Sequence, residues 1–101
     1  DEDGRFLWPG YGENSRVLKW VFERVNGSAA AVDTAIGRLP AAGALDLDGL
    51  DVSDADMAEL LSVDAEGWKA AVPQIEAHFA TFGDKLPEVL NAHLAKLASS
   101  L

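Results

Sequence analysis

The chain has 101 residues, 49% of them hydrophobic and 25% charged, which is enough for one modest folded unit or for part of a larger one. A formal net charge of −9 argues against nucleic-acid and anionic-membrane partners, because both bind mainly through cations. Cysteine is absent, which excludes disulfides and thiolate chemistry and suits the cytoplasm. The first residue is Asp1 and not Met, so we expect a segment of a longer protein.

The opening segment, residues 1–14, is rich in glycine and aromatic residues. Phe6, Leu7 and Trp8 favour a short strand, which Pro9-Gly10 would end. Three aromatic side chains between flexible glycines are unusual for a simple connection, so this segment is a candidate binding loop.

Residues 15–26 are predicted to form a helix. Its apolar positions recur at helical spacing, at Val17, Leu18, Val21, Phe22 and Val25. Asn14 and Ser15 are good N-cap residues, and Asn26-Gly27 is a typical C-terminal stop. About eleven residues of helix are marginal alone in water, so this helix needs a partner surface.

Residues 27–52 show little periodicity and are predicted to be irregular. The stretch 34–40 has an extended pattern, and 45–50 alternates as a short strand or a packed loop would. Because an irregular stretch of this length is uncommon inside a self-contained domain, we expect it to lie over other protein.

Residues 53–101 are predicted to be helical. Ser53 and Asp56 form a capping-box pattern, and Asp64 is the next N-cap. Pro73 should kink the long helix that follows, and Pro87 suits the first turn of the last one. The chain is thus predicted to be mostly α, with four helices and one or two short strands.

Metal and catalytic patterns are weak. The acidic residues Asp46, Asp48, Asp51, Asp54 and Asp56 surround Gly49, but an EF-hand register would place Ala44 and Ala55 at its first and last ligand positions. These residues therefore fit a solvated acidic face with helix caps better than a calcium loop. His78 and His93 lack metal-site spacing. We predict no catalytic residue and no metal ligand in this chain.

The loop from Gly10 to Ser15 allows two kinds of ligand. As a phosphate cradle it lacks a third glycine and a following lysine, and Glu13 adds negative charge. As a base-binding site it offers Phe6 and Tyr11 for stacking, and the Asn14 amide for reading a purine edge. On the residues alone, a small aromatic core beneath the first helix is the favoured alternative.

Residues 6–20, FLWPGYGENSRVLKW, resemble a signature of the GTP-dependent phosphoenolpyruvate carboxykinases. The resemblance continues through residues 34–40 and 45–50 and into the tail, at Trp68 and Leu86-Pro87. It implies that the chain is the C-terminal helical part of a larger α/β nucleotide-binding lobe.

The resemblance also implies a function. The family converts oxaloacetate and GTP to phosphoenolpyruvate, CO2 and GDP in gluconeogenesis, with Mn2+ and a second divalent ion, Mg2+ or Mn2+. The positions implied to bind guanine are Phe6, Tyr11, Gly12, Glu13 and Asn14. The family commonly has Phe where this chain has Tyr11, so stacking should persist. The phosphate loop and metal ligands are expected upstream, so the isolated chain should be inactive.

A second function class remains open from the residues. The chain could be an acidic helical interaction module whose stripes, Val17 with Val21 and Leu90 with Leu94, bind a partner helix without catalysis. The two hypotheses differ in the partner expected: a guanine nucleotide together with the rest of the same polypeptide, or another protein.

Overall fold

The computed structural model describes residues 1–101. Its helices are α1 (Asn14–Val25), α2 (Asp54–Leu60), α3 (Ala65–Ala80) and α4 (Glu88–Ser100), and its strands are β1 (Ala31–Thr34) and β2 (Gly37–Pro40). Short 3-10 turns cover Tyr11–Glu13 and Gly83–Lys85. The mostly helical class with a small sheet is confirmed. The chain falls into two compact units, residues 1–62 and 63–101.

Helix α1 ends where the sequence predicts. Gly27 adopts a left-handed φ of 79°, which glycine tolerates without a Cβ clash, and its N–H donates to the Arg24 carbonyl at 3.1 Å. The start is different, because the 3-10 turn runs directly into the helix. Glu13 takes the N-cap position without a side-chain cap, so the prediction that Asn14 or Ser15 caps α1 is wrong.

A β-hairpin forms within the stretch predicted to be irregular. Strands β1 and β2 pair antiparallel, from Ala31 opposite Pro40 to Thr34 opposite Gly37. The Thr34 hydroxyl donates to the Gly37 carbonyl at 2.6 Å and closes the turn. Pro40 can end β2 because a two-stranded sheet leaves one side of each strand without a ladder partner. Residues 45–50 form a loop and not a strand, and Leu45, Leu47 and Leu50 in it are half-buried.

Trp20 is the one buried hydrophobic side chain, 9% exposed. Its indole Nε1–H donates to the Ala30 carbonyl at 3.0 Å, just before β1. Arg24 lies one turn further along α1, and its Nη1 donates to the Ala29 carbonyl at 3.0 Å. These bonds fix α1 to the start of the hairpin. Much of the remaining apolar face of α1 stays exposed, including Leu18 at 60% and Phe22 at 72%.

Helix α2 begins with the predicted capping box. The Ser53 hydroxyl accepts from the Asp56 N–H, and the Asp56 carboxylate accepts from the Ser53 N–H. An open apolar groove of about 530 Å³ lies between this helix and the hairpin; Val32, Leu39, Met57 and Leu61 are among its lining residues.

The second unit consists of α3, the second 3-10 turn and α4. Asp64 caps α3, accepting from the Gly67 N–H at 2.9 Å as predicted. Helix α3 continues through Pro73 and ends at Ala80. Pro87 stands at the N-cap of α4, one position before the first turn that its residue type favours. No helix in the structure is both long enough and apolar enough to cross a membrane.

Candidate functional site

The two aromatic rings of the opening loop lie on the surface. Phe6 is 91% exposed and Tyr11 is 97% exposed, whereas Leu7 and Trp8 are half-buried. The only ring contacts in the chain involve His78 in the second unit. Both rings are therefore free to stack on a ligand. Of the alternative in which Phe6, Leu7, Trp8 and Tyr11 form a small core beneath α1, the part that places Phe6 and Tyr11 in the core is wrong.

The backbone around these rings is irregular. Residues 6–8 form no strand, so that prediction is wrong, since no neighbouring strand pairs with them. Gly10 has a φ of 80°, and its carbonyl accepts from the Glu13 N–H at 3.0 Å to start the 3-10 turn. Tyr11 itself has a φ of 29°, the only positive value outside glycine. Such backbone carries strain and is concentrated at functional sites.

Asn14 is the first residue of α1, and its side chain is bound on one side. The Trp8 indole Nε1–H donates to Asn14 Oδ1 at 2.9 Å. The neighbouring Ser15 hydroxyl donates to the Gly12 carbonyl at 2.9 Å. These two polar side chains therefore tie the glycine loop to the helix and do not cap the helix amides.

The Glu13 carboxylate is paired with a cation. Arg16 Nε donates to Glu13 Oε2 at 2.7 Å, and Arg16 Nη1 donates to the Asp46 carbonyl at 2.8 Å. The hydrogen bond to Glu13 is the main cause that raises the pKa of Arg16. The negative charge that argued against an anionic ligand at this loop is thus paired with Arg16, which also ties the loop to Asp46.

Asp46 receives a second cation from α1. Lys19 Nζ donates to Asp46 Oδ2 at 3.0 Å, and this bond is the main cause that lowers the pKa of the Asp46 carboxyl. Asp46, one of the five acidic residues of the predicted solvated face, therefore connects α1 to the loop that follows the hairpin.

Arg5 connects the opening loop to α2. Its Nη2 donates to Asp56 Oδ1 at 2.6 Å, and its Nε donates to Asp1 Oδ2 at 3.0 Å. The hydrogen bond from Arg5 and those from Ser53 lower the pKa of Asp56 from 3.8 to about 2.

Side chains that could ligate a metal do not converge. No group of three or more His, Asp or Glu side chains is placed to hold a metal ion. His78 and His93 are exposed on α3 and α4, where the sequence places them.

The site contains residues that sequence reasoning missed. The sequence pattern puts Trp8 in a strand and gives Arg5, Arg16 and Asp46 no role in the loop. The spacing of Glu13 and Arg16 at i and i+3 is a local signal for their pair. The ties from Arg5 to Asp56 and from Arg16 to Asp46 span 51 and 30 positions and left no local signal.

The chemistry available here is recognition of a flat, polar-edged ligand. Two free rings offer stacking surfaces, glycine backbone allows close approach, and the Asn14 amide at the end of the same loop can donate hydrogen bonds. The Glu13 carboxylate is already engaged by Arg16, so the arrangement suits binding better than proton transfer.

Comparison with known proteins identifies the family. Residues 1–100 match the family model described as the phosphoenolpyruvate carboxykinase C-terminal P-loop domain. A phosphoenolpyruvate carboxykinase [GTP] of Neocallimastix frontalis is 54% identical over 101 residues, covering 99% of this chain and 17% of the relative. Enzymes of the same name from Arthrobacter sp. (strain FB24) and Treponema pallidum (strain Nichols) are 52% and 50% identical over 95 and 102 residues.

These two cover 94% and 100% of this chain and 16% of each relative. The chain therefore spans about one sixth of the length of the curated relatives it matches. A match over nearly every residue, with about half of them identical, leaves one assignment: the chain belongs to the GTP-dependent phosphoenolpyruvate carboxykinase family, in its C-terminal domain.

Proposed function

We propose that this chain is the guanine-binding segment of a GTP-dependent phosphoenolpyruvate carboxykinase. The observation that carries the proposal is the exposure of Phe6 and Tyr11 in the loop that leads into Asn14 at the start of α1. A core would have buried these rings, whereas a base-binding loop must leave them accessible. Each stacked aromatic contributes about 1–3 kcal/mol to base binding.

The complete enzyme converts oxaloacetate and GTP to phosphoenolpyruvate, CO2 and GDP. In it Phe6 and Tyr11 contact the base, Gly12 and Glu13 shape the loop, and Asn14 reads the base edge. Glu13 acts through its pair with Arg16 and not as a free carboxylate. The Mn2+ and second divalent ion, Mg2+ or Mn2+, are assigned to ligands outside residues 1–101. We also infer a cytoplasmic location, which suits a cysteine-free chain.

The rest of the same polypeptide is the protein partner in this proposal. The apolar face of α1 is substantially exposed, from Leu18 at 60% to Val25 at 81%. The relatives are about six times longer than this chain, and in this proposal the corresponding remainder of the polypeptide covers the face. In the interaction-module alternative a separate protein would cover it, and the exposed aromatic loop would have no role.

Substitution of Asn14 tests the base-reading role. In the complete enzyme, Asn14→Ala should raise the KM for GTP and reduce the preference for GTP over ATP by about 1–3 kcal/mol, the value of one specific base contact. Steady-state kinetics with both nucleotides measure this. Unchanged discrimination between GTP and ATP would overturn the assignment of Asn14.

Tryptophan fluorescence separates the two function classes. Trp8 lies in the loop, so guanine nucleotides should quench its emission in the complete enzyme while adenine nucleotides do so much less. A Trp8→Phe variant identifies the part of the signal that comes from this residue. Equal responses to both nucleotides, or none to either, would favour the interaction module.

A coupled assay on the 101-residue chain tests the division of labour. It should show no GTP-dependent turnover, because the proposal places the phosphate loop and metal ligands elsewhere. Measurable turnover by the chain alone would show that it holds catalytic residues that we have not assigned.

A further inference from the structure

The hydrogen bond between Trp8 and Asn14 fixes which end of the asparagine amide is free. An indole N–H can only donate, so the Asn14 atom 2.9 Å from Trp8 Nε1 must be the carbonyl oxygen. The amide nitrogen Nδ2 is then the end turned away from Trp8, and no other side chain or backbone group of the chain binds it. Asn14 therefore has an NH2 group with two unused donors.

We propose that Trp8 is a specificity-determining positioning residue, which holds the Asn14 amide with its donor end toward the base and thereby selects purines with an oxygen at position 6. The inference rests on the proposed guanine-binding function and adds to it a residue that need not touch the nucleotide.

The physical reason is the near symmetry of the amide. Turned by 180° about its last side-chain bond, an asparagine amide keeps its shape but exchanges donor and acceptor. Guanine has an acceptor at position 6 and adenine has a donor there. A freely turning amide could pair with either base, whereas an amide held by Trp8 pairs with guanine and meets adenine donor to donor.

Trp8 is the side chain that controls the 180° rotation of the Asn14 amide, because the rest of Asn14 is held by other contacts. Its backbone N–H is directed at the carbonyls of Tyr11 and Gly12, so the main chain is already fixed by the turn. The Ser15 hydroxyl donates to the Gly12 carbonyl at 2.9 Å and makes no hydrogen bond with the Asn14 amide. Trp8 is half-buried, which limits the movement of its ring.

The test removes the indole N–H and keeps an aromatic ring. In the complete enzyme, Trp8→Phe should lower the GTP-to-ATP ratio of kcat/KM by about three- to tenfold, the size of one net hydrogen bond. The kcat at saturating GTP should stay within about twofold, because the residue orients a binding group. Trp68→Phe on α3 is the matched control and should leave the ratio unchanged.

Inosine triphosphate distinguishes a role in specificity from a merely structural role of Trp8. It has the same oxygen at position 6 as GTP but lacks the 2-amino group. Trp8→Phe should therefore raise the KM for GTP and the KM for inosine triphosphate in parallel, without raising the KM for ATP. Equal weakening of all three nucleotides would mean that Trp8 only supports the loop, and it would overturn the proposal.

A second substitution guards against misfolding of the phenylalanine variant. Replacing Trp8 with 3-benzothienylalanine keeps the bicyclic shape and exchanges the N–H for sulfur, so it should reproduce the loss of GTP preference. If both Trp8 changes leave the preference intact while Asn14→Ala lowers it, the role of Trp8 is wrong and the guanine site stands. If Asn14→Ala also leaves it intact, the proposed function fails with it.

Discussion

Several side-chain hydrogen bonds of residues 1–62 join segments that are far apart in sequence, whereas bonds in residues 63–101 such as that from Thr81 to the His78 carbonyl stay within about one helical turn. Arg5 reaches Asp56 and Lys19 reaches Asp46 in the first unit. In the second unit, Lys69 pairs with Glu66 on the same helix. The difference shows where the chain fixes loop geometry with polar contacts. A binding loop needs such support, because its side chains must be held close to their working positions.

Substitution of the aromatic rings in the opening loop should give the largest difference between the two units. In the complete enzyme, Phe6→Ala and Tyr11→Ala should each raise the KM for GTP by about 5- to 150-fold, since a stacked base is worth about 1–3 kcal/mol. Phe82→Ala is the control, because Phe82 is also exposed, at 48%, but lies in the second unit. An equal KM change in the control would remove the distinction between the units as sites of binding.

The tryptophans test the difference in packing. Trp20→Phe should lower the local opening free energy of α1 by about 1–2 kcal/mol, because it removes a partly buried hydrogen bond to the Ala30 carbonyl. Trp68 is 37% exposed, so Trp68→Phe should lower the local opening free energy of α3 by a smaller amount. Amide hydrogen exchange of peptides from α1 and α3 in the complete enzyme measures both. Similar loss of protection in the two helices would contradict the assignment of Trp20 as the anchor.

Acid titration gives the smallest expected effect. Because the pKa of Asp56 is lowered from 3.8 to about 2, its charged form favours the folded state. The stabilisation is present above about pH 4 and is lost as the pH falls toward 2. Carbon-13 NMR of the Asp carboxyl carbons should give a midpoint near 2, and Arg5→Gln should move it back toward 3.8.

Arg38→Gln is the control for this titration, since it breaks the ion pair with Asp33 and leaves Asp56 untouched. An Asp56 midpoint that is the same in Arg5→Gln as in the unmodified chain would show that Arg5 does not bind it in solution.

Local signals predict much of the fold. The apolar spacing of α1, the Gly27 stop and the Ser53–Asp56 capping box all depend on residues within a few positions of each other, and the structure contains all three. The hairpin escapes prediction because Ala35 and Ile36, at its turn, are not residues that typically mark a turn. The strand at residues 6–8 is wrong because strand formation needs a partner, which composition does not reveal.

The candidate site is predictable in its residue types and not in its geometry. The rings and the amide can be named from the sequence, but their exposure depends on what the rest of the fold leaves uncovered. The Trp8–Asn14 bond spans six positions in an irregular loop, where no periodicity indicates which side chains meet. Lys19 and Asp46 likewise become neighbours only after folding, whereas the i,i+3 spacing of Glu13 and Arg16 is a local signal for their pair.

Folding and base binding favour different residue types at position 11. A φ of 29° suits glycine or asparagine, yet only an aromatic side chain can stack on a base. A library randomised at this position and selected for thermostability should therefore enrich the small residues, whereas selection for growth that depends on the enzyme should retain the rings. The best sequence for folding and the best sequence for binding differ at this one position, which makes it a point of trade-off for any engineered carboxykinase.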